Sequence, residues 1–203
     1  MTGYKNFIDD FPRRCRDILN IAKRPALYRG REITLTLMVA SAGFVVPYER
    51  LTPGHPSGDS KRFVGAAEKL QSLLDQAFTS SVLSQQMSST WYEGKVGSVN
   101  GDPDSWDGLR KRKPFSKDKK VSATLKVIRN GLAHGNIFTF GNPIIQEIIF
   151  IKKNFNDVGE VRDYSFVYLV PQDFSQFLEN WFDFLNDVCI PQEVAFKVLK
   201  DAA

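Results

Sequence analysis

A single helix with a hard stop constrains this chain more than any other stretch. Val121, Leu125, Ile128 and Leu132 recur at helical spacing and draw one apolar stripe down one face. Ser116 is placed to cap the start, with Lys117, Asp118, Lys119 and Lys120 solvating the first turns. Gly135-Asn136 terminates the element, because glycine takes the left-handed conformation without a Cβ clash. The last turn is unusually polar for a core helix. Asn130 and His134, four residues apart, share a face at about 100° per residue, and Arg129 stands one step around from Asn130. Gly131 and Ala133 are small enough to let a second helix or a ligand approach. The stretch therefore offers a permanently charged fork, a neutral donor and acceptor, and a group that titrates near neutrality.

An arbitrary Arg-x4-His pair carries little information, since a helix arginine is usually solvated and a terminal histidine usually answers the helix dipole. The wider string is more specific. Ile-Arg-Asn-Gly-Leu-Ala-His-Gly-Asn, residues 128–136, resembles the signature of the HEPN superfamily: Arg, a polar residue, a short spacer, then His. The correspondence falls on Arg129, Asn130 and His134. It implies a mainly α fold, a HEPN-like helical bundle, here with a β-hairpin inserted in the C-terminal half. It also implies a homodimer and, in catalytic members, metal-independent cleavage of RNA. Some members carry a tyrosine two residues after the histidine and work beside a nucleotidyltransferase; Asn136 stands there, so that mode is not carried over. Toxin–antitoxin and defence systems are a family association, which makes an antitoxin or defence-system partner an expectation of the resemblance alone.

At 203 residues the chain fits one domain spanning 1–203, with length enough for a sizeable core. A formal charge of +4 and a pI near 9.0 are compatible with an anionic partner such as RNA. Cys15 and Cys189 lie far apart within apolar patterns and read as buried thiols in a reducing cytoplasm. With only His55 and His134, no histidine-rich metal site can be built, so neither a metal nor another cofactor is expected. His55 sits in a Gly/Pro loop and reads as an ordinary loop residue. The N-terminus shows no signal peptide, and the most apolar run, Ile33 to Val46, is too short to span a bilayer.

Periodicity predicts helices over Tyr4–Ala22, closed by Pro25, and over Arg29–Val46, stopped by Pro47. The second is apolar nearly all round and is expected to be the most buried. A third helix is predicted over Lys61–Phe78. Residues 91–116 read as an irregular basic and aromatic loop, broken by Gly94, Gly97, Gly101, Pro103 and Gly108. Arg110, Lys111, Arg112, Lys113, Lys117, Lys119 and Lys120 form a basic strip leading into the motif helix, all but Lys119 being candidate nucleic-acid contacts. It is a solvated loop on the plain reading, and a phosphate-tracking strip beside the site on the functional one. Residues 144–170 read as an antiparallel β-hairpin turning over Asn154–Gly159. Pro171 opens a helix whose Phe174, Phe177, Leu178, Trp181, Phe182 and Leu185 form either core or a dimer face, and Pro191 opens a last short helix.

RNA carries its own nucleophile, the 2′-OH. Cleavage then needs a base, an acid for the leaving 5′-oxygen, and charge against the phosphorane. His134 suits either proton transfer, Arg129 suits the phosphate oxygens, and Asn130 can orient imidazole or phosphate. One histidine per chain falls short if acid and base must differ; a two-fold dimer supplies the second. The competing expectations are a non-catalytic nucleic-acid or nucleotide-binding module on the same scaffold, and a helical interaction protein whose motif helix is a packing surface.

Overall fold

The computed structural model describes residues 4–100 and 103–189. Its helices are α1 (Phe11–Tyr28), α2 (Glu32–Gly43), α3 (Val45–Leu51), α4 (Asp59–Arg62), α5 (Val64–Leu74), α6 (Asp107–Arg110), α7 (Val121–His134) and α8 (Pro171–Cys189). The strands are β1 (Tyr92–Val96), β2 (Lys113–Pro114), β3 (Ile137–Phe140), β4 (Glu147–Phe155) and β5 (Val161–Leu169). They form one antiparallel sheet in the order β2-β1-β5-β4-β3. The architecture is therefore mixed: α7 and α8 pack on one face of a five-stranded sheet and the short α6 on the other, rather than a bundle decorated with a hairpin.

The predicted hairpin exists as β4–β5, with Ile149 opposite Tyr168 and Ile151 opposite Phe166. Three more strands join it. β1 and β2 come from the segment read as an irregular loop, where glycines at 94, 97 and 108 obscured the alternation. Backbone pairing to β5 is available to glycine as to any other residue, so composition misled there. Trp106 and Leu109 then fold back over the outer sheet face and close a second cluster on Val96, Ile149, Ile151, Phe166 and Tyr168.

Proline shifted the helix boundaries. Pro12 lies in the first turn of α1, where its missing N–H has no intrahelical partner to lose, and α1 continues through Pro25 to Tyr28. Pro47 does not stop a helix. It occupies the first turn of α3, after a one-residue interruption at Phe44, whose N–H still reaches Ala40 O at 3.0 Å. The predicted third helix divides into α4 and α5 and ends at Leu74. The predicted helix at Pro191 lies outside the described residues.

Helix α2 is not the most buried: its Met38 is 68% exposed, and α7 and α8 each bury a larger share of their residues. The aromatic stripe of α8 is core within the chain, and it meets Phe44, Trp91 and Phe150 edge-on or tilted. Trp181, fully buried, donates its indole N–H to Gly43 O at 3.0 Å. A Cβ on Gly43 would sit 2.8 Å from the Phe182 ring, so only glycine lets α2 and α8 approach this closely. At the start of α8, buried Asp173 accepts from the backbone N–H and hydroxyl of both Ser88 and Ser89, which ties down the segment before β1. Cys15 is buried and Cys189 half-buried; burial pushes the Cys189 thiol up to about 11.

Trp181→Ala removes a buried ring and leaves the Gly43 carbonyl without its donor. The expected loss is about 3–5 kcal/mol of unfolding free energy, read as a lower urea midpoint at unchanged slope.

Candidate functional site

Helix α7 begins later than the sequence implies. Lys120 is extended, because residues 119–121 pair with 76–78: Phe78 N–H donates to Lys119 O at 2.6 Å and Val121 N–H to Gln76 O at 3.0 Å. Ser116 is therefore not its cap. From Val121 the helix lies across β4 and β5, burying Leu125, Ile128 and Leu132 among Ile148, Phe150, Val167 and Leu169. It ends at Gly135, whose φ of 67° is the left-handed conformation. The chain then turns straight into the sheet, and Asn136 O accepts from Ile151 N–H at 3.0 Å.

That turn brings the last residues of α7 to the edge of β4 just past the point where β3 stops pairing. Asn130, His134 and Asn136 line a cleft of about 300 Å3, closed on the strand side by Lys153 and Phe155. His134 is exposed, with no hydrogen-bond partner among the described residues. Asn130 Nδ2 donates to Lys126 O at 2.8 Å, which holds its carboxamide along the helix. Arg129 is not in the cleft. It points to α3, where Nε donates to Glu49 Oε1 at 2.5 Å in a half-buried ion pair. The structure thus brings Asn130 and His134 together and separates Arg129 from both.

Lys153, Asn136 and Phe155 were missed as site residues. Their signal is a ladder register, not a motif. Asn136 sits beside Ile151, which leaves Lys153 next along the free edge, and pairing partners cannot be read from one strand. Gly131 also has a different use from the one expected. A Cβ there would lie 2.8 Å from Phe150 Cδ1 and 3.2 Å from Asn136 O, so its smallness serves the packing of α7 on its own sheet.

The basic strip belongs to the other end of α7, about 20 Å from His134 at 1.5 Å per residue. Its members diverge. Arg110 Nε donates to Asp104 O at 3.2 Å, and Lys120 Nζ stands 3.7 Å from Asp75 Oδ1. The Arg112 guanidinium lies over the rings of Tyr168 (4.4 Å) and Tyr92 (5.4 Å). Burial, then a hydrogen bond to Glu147, raise the Tyr168 phenol far above its ordinary range, and Arg112 opposes them weakly. Lys117 is exposed; Lys111 and Lys113 border a groove beside β1. His55 accepts from Ser57 N–H at 3.2 Å within its own loop. Among the described residues no group of three or more His, Cys, Asp or Glu is placed to hold a metal ion, and no helix is long and apolar enough to cross a membrane.

The cleft has the parts of a small anion-handling site: an accessible imidazole, an ammonium on the opposing strand, and two side-chain amides. A family model described as HEPN pEK499 p136 matches residues 1–191, so the chain belongs to the HEPN superfamily. No curated protein and no solved structure matches it. Membership supports a nuclease or a nucleotide-binding module as the class of activity.

Gly131→Ala tests the geometry. The substitution gains about 1 kcal/mol of helix propensity, yet the new methyl overlaps the fully buried Phe150 ring. Net destabilisation of about 1–3 kcal/mol is expected in chemical denaturation. A more stable variant would show that α7 does not rest on Phe150.

Proposed function

We propose that the protein is a metal-independent endoribonuclease of the HEPN kind, working as a homodimer. One observation carries the reading: the motif imidazole of His134 stands open in a cleft whose other wall presents the Lys153 ammonium. In the reaction one His134 takes the proton of a ribose 2′-OH. The freed oxygen bonds to the adjacent phosphorus, and the bond from phosphorus to the 5′-oxygen breaks. That oxygen leaves with a proton from the partner's His134. The products are a 2′,3′-cyclic phosphate and a 5′-hydroxyl. Lys153 and Asn130 face the phosphate oxygens, where charge grows in the phosphorane. RNA is the substrate, in the cytoplasm, and an antitoxin-type or defence-system partner restrains the activity.

The Arg129–Glu49 pair favours a second reading. A guanidinium already held by a carboxylate inside its own chain is not aimed at the cleft, so Lys153 is the one lysine or arginine among the residues that line it. That arrangement suits a module that binds a nucleotide or nucleic acid without cutting it. The dimer reading answers it if the partner chain supplies the missing charge. Of the basic strip, Lys111 and Lys113 belong to the same proposal as contacts to the RNA backbone beyond the cleft.

Purified protein incubated with mixed RNA in EDTA separates the readings. Wild type is expected to yield cyclic-phosphate ends, and His134→Ala to lose at least about 100-fold in rate while still binding RNA. RNA bound but uncut by wild type selects the binding module. Equal cleavage by both proteins would put the activity elsewhere. Sedimentation adds the oligomeric test: a monomer cutting at full rate rules out the composite site.

A further inference from the structure

A charged concavity larger than the motif cleft lies outside it. Between β1 with its short partner β2 and the middle of α7 runs a groove of about 530 Å3. Lys95, Lys111, Lys113 and Lys119 line it, with Glu93 as the one carboxylate. These side chains converge from four places in the sequence. Lys95 comes from β1 and Lys113 from β2, opposite Glu93 in the ladder. Lys111 follows α6, and Lys119 precedes α7. Glu93 is paired with Lys119, and Asp163 stands 3.8 Å from Lys95, while Lys111 and Lys113 have no carboxylate partner among the described residues. The groove therefore carries an uncompensated positive charge on exposed lysines.

Its position relative to His134 gives it direction. Val127 of α7 lines the groove, and Asn130 and His134 line the cleft. Residues 127, 130 and 134 fall on one stripe of the helix, with about 10 Å of rise between the first and the last. On the sheet side Ser165 lines the groove and faces Lys152 in the β4–β5 ladder, and Lys153, the next residue of β4, lines the cleft from the alternate face of the strand. The groove and the cleft thus lie along the same stripe of α7, the groove toward its middle and the cleft at its end.

We propose that this groove is the binding track for the backbone of single-stranded RNA upstream or downstream of the cut, delivering the scissile phosphate to His134. The assignment rests on the ribonuclease reading for its end point and on the groove's own charge for the rest. Spread ammonium groups along an open channel match a chain of phosphodiesters better than one compact phosphate cluster. They track a backbone without reading its bases. Affinity then grows with RNA length, and base identity matters little. The residues of the basic strip are sorted by this geometry: Lys111 and Lys113 act on RNA, while Lys117 and Lys120 lie off the track despite their proximity in sequence.

Two double variants of equal charge test it, both in the His134→Ala background so that RNA survives the titration. Binding of a labelled RNA of about 12 nucleotides is followed by anisotropy in EDTA across a salt series. Lys111→Gln/Lys113→Gln is expected to weaken binding about tenfold and to flatten the salt slope by about 1.4. Lys117→Gln/Lys120→Gln is expected to change affinity less than about twofold. Equal losses in both pairs, no loss in either, or no RNA binding by the parent would each overturn the track. Cleavage by the same pairs with His134 intact keeps the two ideas apart. RNA held in the groove but never cut leaves the track standing without the nuclease. RNA cut at the wild-type rate by the Lys111/Lys113 pair leaves the nuclease standing without the track.

Discussion

The contact between Gly131 and Phe150 sets the distance between α7 and the sheet, and the rest of the site follows from that distance. Because no side chain intervenes, the last turn of the helix lies low over β4. Gly135 then reverses the chain within one residue, and Asn136 enters the ladder beside Ile151. A helix riding higher would need a longer connection, and His134 would stand away from Lys153. The cleft is thus a by-product of close helix–sheet packing: its two walls belong to elements that touch through the core, so neither wall depends on a mobile loop for its place.

Beneath this contact the fold is held by aromatic packing around α8. Phe174, Phe177 and Trp181 engage Phe150, Trp91 and Phe44, so the same cluster supports the strand under α7 and the helices beside it. Polar groups in this core are mostly answered, the buried Trp91 indole N–H being an exception among the described residues. Asp173 accepts four bonds from Ser88 and Ser89, and the Trp181 indole reaches Gly43 O. Buried polar groups left unpaired are costly, which explains why these partners come from segments distant in sequence.

Charge is arranged differently from what linear proximity implies. The motif arginine is neutralised by Glu49, whereas the cation beside the motif histidine is Lys153, from a strand. The basic residues that crowd one short stretch of sequence scatter in space: onto tyrosine rings, onto a backbone carbonyl, toward Asp75, and into the groove beside β1. Lys95 joins that groove from outside the strip.

Much of the helical layout was legible in advance, because helix α7 and helix α8 each carry an apolar stripe at a period that only a helix can bury on one side. The β4–β5 hairpin was legible from β-branched runs around a turn, and the stop at Gly135 from the one residue type that tolerates its φ. Strand β1 was not, since Gly94 interrupts a short run flanked by further glycines and its pairing depends on β5, about seventy residues away in the chain. Sequence alone determined that Asn130 and His134 share a face, a local consequence of helix geometry. Only the tertiary structure decided which groups meet them there, because strand register and helix–sheet distance are set by packing between remote segments, and no local pattern encodes either.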